Sequence, residues 1–193
     1  MASIVNICNL ALRRIGHNDT IEELTEASTE ARVCREFYDL TRQAVLREAE
    51  WNFSIRTATL ATVAITPDDG DYAYVFQLPT KCLKLLKFIQ PAAALEALEY
   101  EIREAKYLYT DEETVVAKYV YDEDETAKFD PLFISTLAWR LAFEIALPLS
   151  ASESVSNRCY QSYQIELVKA NAANRQENQV PLTKDTSLID ARR

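Results

Sequence analysis

The chain has 193 residues, 48% hydrophobic and 26% charged, with a net charge of −9 and a pI near 4.8. That is long enough to bury a core without disulfide or metal staples. The acidic balance argues against a protein that grips nucleic acid or an anionic membrane, both of which need clustered Lys and Arg.

The start, MASIVNICNLALRRIG, places its basic pair after its apolar residues. A secretory signal has the reverse order, so folding in a cytoplasm is expected. Residues 3–15 are predicted to be a helix. Val5, Cys8, Leu12 and Ile15 make its stripe, Ser3 its N-cap, and Gly16 its stop. A second amphipathic helix is predicted over 27–49, with Ala31, Cys34, Tyr38, Thr41 and Val45 inward. Arg32, Arg35, Glu36, Arg42 and Arg47 are placed off that stripe.

At residues 47–57, REAEWNFSIRT, the pattern changes. Trp51 and Phe53 mark the seam, and the following run to residue 65 is Thr-, Ile- and Val-rich and strand-like. TPDDGD reads as a turn. YAYVFQLP reads as a strand with Tyr72, Tyr74, Phe76 and Leu78 on one face, and CLKLLKFIQ as a further strand. PAAALEAL is left between loop and helical turn. YEIREAKYLYT and TVVAKYVYD are predicted to be two strands of one hairpin, joined by the acidic turn DEE.

Asp130-Pro131 signals a third helix ending near Leu149, with Ile134, Leu137, Leu141 and Ile145 inward and Ala138, Ala142 and Ala146 for close packing. Ser150 with Glu153 reads as a capping box for a fourth helix over 152–174. Beyond it lies an aperiodic tail.

The expected architecture is therefore a single, mainly α domain. It is a bundle of about four helices (1–50 and 129–176) with a small antiparallel β-insertion (51–128) and an extended tail (177–193).

Chemistry is hard to find. Two glycines, Gly16 and Gly70, exclude a phosphate-cradling or dinucleotide loop. His17 is the one histidine, in a connector, and reads as solvent-exposed. Cys8, Cys34, Cys82 and Cys159 lack metal or redox spacing and read as reduced, buried thiols. The carboxylates at 68–71, 111–113 and 122–125 read as solvated turns. Lys81, Lys84 and Lys87 read as protection of a sheet edge. Tyr100, Tyr107, Tyr109, Tyr119 and Tyr121 read as cross-strand or interface residues rather than base-stacking ones. No catalytic, cofactor-binding or metal residue stands out, which favours a structural or interaction protein. Trp51 and Phe53 are expected to form the joint between helices and β-region.

Several blocks occur in a suggestive order: NLALRRIG at 9–16; Leu46, Arg47, Trp51, Asn52 and Phe53 at the end of the second helix; TATLA; YVFQLPTKCLKL; YLYTDEETVVAKYVYD; FDPLFISTLAWRLAFEIALPLS; and YQSYQIELVKANAANRQE. Together they resemble the head–tail adaptors of tailed bacteriophages, in particular the tail tubular protein A, or gatekeeper-like connector, of short-tailed phages. The resemblance covers nearly the whole chain and rests on order and spacing, not on one diagnostic motif. It implies a structural virion protein and no enzyme. The expected assembly is a homo-oligomeric ring, usually a dodecamer, docked on the portal protein and leading to a nozzle of the tail tubular protein B kind. DNA would pass through the lumen without specific binding. The tail residues Val180, Pro181, Leu182, Leu188 and Ile189 would contact the portal, and the isolated chain would be a monomer until it meets one. A head-completion protein of a long-tailed phage or gene-transfer particle is the alternative within this class; an acid-based hydrolase is the alternative outside it.

Overall fold

The computed structural model describes residues 3–65, 70–90, 99–149 and 151–177. The tail residues Val180, Pro181, Leu182, Leu188 and Ile189, the cap residue Ser150, the segment 91–98 and most of the 68–71 carboxylate cluster lie outside them.

The helices follow their local signals. α1 (Ile4–Arg14) starts where the Ser3 hydroxyl accepts the Asn6 N–H, and it ends at Gly16, which takes the left-handed φ of +90°. α2 (Thr29–Glu48) is capped by Ser28, and α3 (Pro131–Ala146) by Asp130, which accepts from the Leu132 and Phe133 N–H groups. α4 (Glu153–Glu177) begins one residue after Ser152, whose hydroxyl accepts the Val155 N–H. Ser152 thus takes the capping place expected for Ser150.

The expectation of a mainly helical bundle with a small insertion is overturned. Among the described residues, seven strands form two antiparallel sheets beside the four helices. An inner sheet has the order β1 (Ile55–Thr59), β7 (Val116–Tyr121), β4 (Cys82–Gln90). An outer sheet has the order β2 (Ala61–Thr62), β3 (Tyr74–Gln77), β6 (Tyr107–Thr110), β5 (Tyr100–Arg103). The Thr-rich run after Trp51 is not one strand. It breaks at Leu60, so that β1 joins the inner sheet and β2 the outer one.

The expected hairpin across the DEE turn is also wrong. YEIREAKYLYT folds back on itself as β5–β6, with Glu104 and Ala105 at its turn, both at positive φ. That turn conformation usually draws Gly or Asn, so no sequence signal marked it. β7 instead pairs with β1 and β4, in register from Ile55 opposite Val120 to Thr59 opposite Val116. Residues 111–115 therefore carry the chain from one sheet to the other.

The inner sheet is the middle of three layers, because successive strand residues face opposite sides. Val120 packs into the main core, formed by α1, α2, α3 and α4 around Trp51, Phe133, Leu137, Leu141 and Tyr163. Ala117, one face over, packs with Leu60, Phe76, Leu78, Leu108 and Val115 into a smaller core under the outer sheet. Ala138, Ala142 and Ala146 are fully buried in the main core, consistent with the tight packing of α4 on α3.

Candidate functional site

The residues singled out at the helix-to-strand seam sit at the junction of helices and inner sheet. Trp51 is 1% exposed. Its indole N–H donates to the Val45 carbonyl at 2.9 Å, and its ring meets Phe133 edge-on with centroids 4.9 Å apart. Phe53 packs on Phe133 (4.9 Å) and Phe129 (5.6 Å). The aromatics leaving α2 thus stack on those entering α3, and the two seams of the β-region are fastened to each other. The indole N–H is paired, so the burial of this large ring is not offset by an orphaned donor.

Beside the aromatics lies a buried ion network that sequence reasoning missed. Arg42 was placed off the α2 stripe and is 4% exposed. Its guanidinium donates to the Glu123 carbonyl at 2.7 Å and to the Asp122 carboxylate. Gln43 donates to Asp122 at 2.8 Å. Glu123, 2% exposed, receives Arg56 at 3.0 Å and Lys128 at 3.3 Å. The solvated-turn reading fails for Asp122 and Glu123, because this turn closes over the side of α2. The missed signal is positional: Arg42 stands four residues after Tyr38 and three before Val45, both inward. A cation on the apolar stripe must find partners or pay desolvation. The network is not fully satisfied, since among the described residues the Arg42 Nε and the Tyr38 hydroxyl find no hydrogen-bond partner.

A second clamp holds α4. The Asn52 N–H donates to the Asn174 side-chain oxygen at 2.9 Å, and the Asn52 amide donates to the Asn174 carbonyl at 3.1 Å and to Glu177 at 3.0 Å. The Tyr163 hydroxyl donates to Glu48, which lies 3.9 Å from Arg140. Burial, then Glu48, pushes the Tyr163 phenol well above its usual range.

The other candidates scatter. His17 is half-buried, not exposed, with Nε2 3.4 Å from the Leu149 carbonyl and Nδ1 3.7 Å from Glu30. Cys8, Cys34 and Cys159 are buried and Cys82 is half-buried. The neighbouring Cys34 thiol on α2, together with burial, pushes the Cys8 thiol on α1 well up. The tyrosines have no common role. Tyr109 and Tyr119 are buried, Tyr121 lies under the Arg56 guanidinium at 3.3 Å, and Tyr100 is exposed against Phe88. Of the basic stripe, Lys81 pairs with Asp124 at 2.8 Å, which holds that carboxyl below its usual range, while Lys84 and Lys87 have no such partner among the described residues. Among the described residues no group of three or more His, Cys, Asp or Glu is placed to hold a metal, and no helix is long and apolar enough to cross a membrane.

A sizeable cleft lies behind the joint. It has a volume of about 650 Å³ and is lined by Glu48, Glu50, Lys84, Lys118, Asn171 and Arg175 among others. Its two carboxylates stand on the same wall, two residues apart on one stretch of chain. They do not face each other across a substrate path, as an acid-based hydrolase requires. No protein-family model matches the chain, and no curated protein matches it.

Proposed function

We propose that the chain is a structural component of a bacteriophage particle: a head-to-tail adaptor that forms a ring, docks on the portal and passes DNA toward the tail nozzle. The observation that carries this reading is the large apolar side chains left uncovered on the outside of the helical layer. Ile165 and Val168 stand one turn apart on α4 at 57% and 69% exposure, and Leu40 stands on the outer face of α2 at 70%. An apolar patch on a helix face turned away from its own core suits contact with another protein. The order of sequence blocks that resemble such adaptors supports the same reading. So does the charge of −9, because a lumen of carboxylates repels phosphate and lets DNA slide. The buried charges at the joint serve the fold: Arg42 is matched by Asp122, and Glu123 by Arg56 and Lys128.

Electron microscopy of the chain mixed with its portal tests the proposal. The expected result is a ring of added density under the portal, lost when residues 180–193 are deleted. Absence of any complex defeats the adaptor reading. A complex that survives the deletion defeats the assignment of the tail. A ring with a net positive inner surface defeats the account of the charge.

A further inference from the structure

The cleft behind the joint carries charges that neither the fold nor the adaptor reading uses. Its floor is the helix-facing side of the inner sheet, where Lys84 on β4 and Lys118 on β7 accompany Leu86 and Val120. Lys87 stands directly opposite Lys118 in the ladder, hence on the same side of the sheet. Arg175 comes over the top from the last turns of α4. Among the described residues none of these four cations has a carboxylate within ion-pair distance, whereas Arg56, Lys81 and Lys128 all do. Like charges directly opposite in a ladder are destabilising, and no carboxylate among the described residues pairs with Lys87 or Lys118.

Protection of a sheet edge accounts for Lys84 and Lys87, since β4 is the outer strand of its sheet. It does not account for Lys118, which is on the central strand, or for Arg175, which is on a helix. On the α2 wall, Glu48 is already taken by the Tyr163 hydroxyl, and Glu50 makes no ion pair among the described residues. Three lining cations against two carboxylates leave the cleft positive, and Lys87 beside it adds to this. Its volume falls within the range of about 300–1,000 Å³ usual for small-ligand sites.

We propose that this cleft binds a compact polyanion, with two or three closely spaced oxyanions that Lys84, Lys118 and Arg175 meet together, as a short polyphosphate chain would present. Lys118 and Lys84 act as point charges from the floor, Arg175 offers its planar fork from above, and the Asn171 amide adds a neutral donor on the same helix. Glu48 and Glu50 on the wall disfavour a nucleic-acid duplex, whose continuous phosphates would run against them. The inference stands on the cleft alone and does not depend on the adaptor reading.

Calorimetric titration of the full chain with tripolyphosphate at low ionic strength tests it, with thermal melts and a short duplex DNA in parallel. Saturable one-to-one binding is expected. It should weaken about tenfold in Lys118→Gln and disappear in Lys84→Gln/Lys118→Gln. The ligand should raise Tm in the original chain and not in the double variant. Without ligand the double variant should melt at or above the original, since a like-charge contact has been relieved; this separates lost binding from lost fold. Arg175→Gln, near the end of α4, should weaken binding without touching the sheet, and Lys81→Gln should leave it unchanged. No saturable heat at millimolar ligand overturns the proposal. Binding indifferent to Lys84, Lys118 and Arg175 overturns it as well. So does duplex DNA binding more tightly than tripolyphosphate and failing in the double variant, which would make the face a nucleic-acid contact.

Discussion

The two sheets are built from similar sequence and are held very differently. The inner sheet has a core on each face: Val120 and Ile55 among the helices, Ala117 and Phe88 under the outer sheet. The outer sheet has a core of only a few side chains on its inner face, Val75 and Tyr109 buried on the other, and edge strands that are largely open. Both residues of β2 are exposed, as are Tyr100, Glu101 and Ile102 of β5. Stability scales with apolar area removed from water, so the helices and inner sheet should melt as the dominant unit, with the outer sheet as a satellite.

The strongest way to break that arrangement is at the aromatic junction. Trp51→Ala removes a fully buried ring touching Phe53 and Phe133 and orphans the Val45 carbonyl. A loss of about 3–5 kcal/mol is expected in a denaturant titration, with helix and sheet signals lost together. An unchanged midpoint would mean that the aromatics do not hold the junction. Leu108→Ala empties the centre of the small core instead. It should cost about 2–4 kcal/mol, and its effect in amide exchange should be confined to β2, β3, β5 and β6. Equal loss of protection in α3 would erase the distinction between the two regions.

The smallest change sharpens the comparison from inside the main core. Tyr38→Phe deletes a buried hydroxyl that has no partner among the described residues and should gain about 1 kcal/mol. Burial holds the Tyr38 phenol above its usual range, so the folded chain keeps this proton where the unfolded chain has lost it. The resulting stability is present below about pH 10 and is lost as pH rises further. Tyr38→Phe should therefore show a shallower alkaline fall in Tm, and identical profiles would count against Tyr38 as its source.

The helices were readable because their signals are local. Ser3 and Asp130 cap where capping residues were expected, and the apolar stripes keep their spacing. The sheets were not, because their partners are distant in the chain. Nothing near Ile55 announces that it will lie opposite Val120, and nothing in Glu104-Ala105 announces a tight turn, since neither residue is the Gly or Asn that such a turn favours. At the junction, Trp51 and Phe53 stood out as large aromatics where a periodicity changed. Arg42 did not, because a cation on a helix is usually solvated, and its partners Asp122 and Glu123 lie 80 and 81 residues away. The cleft was half visible: Lys84 and Lys87 were noticed as a stripe, while Lys118 and Arg175 join them only through pairing and packing.

The pairing of β1 with β7 has a consequence for how such a chain can change. The strand that leaves the helical layer and the strand that returns to it are hydrogen-bonded neighbours, with Ile55 opposite Val120 and Thr59 opposite Val116. Apart from β4, which lies between them in the chain and returns to the inner sheet, whatever is strung between them starts and finishes at adjacent points, so its length and content can vary while the helices keep their places. The inner sheet is a socket, and the outer sheet is the part a lineage could exchange for another without rebuilding the helical layer beneath.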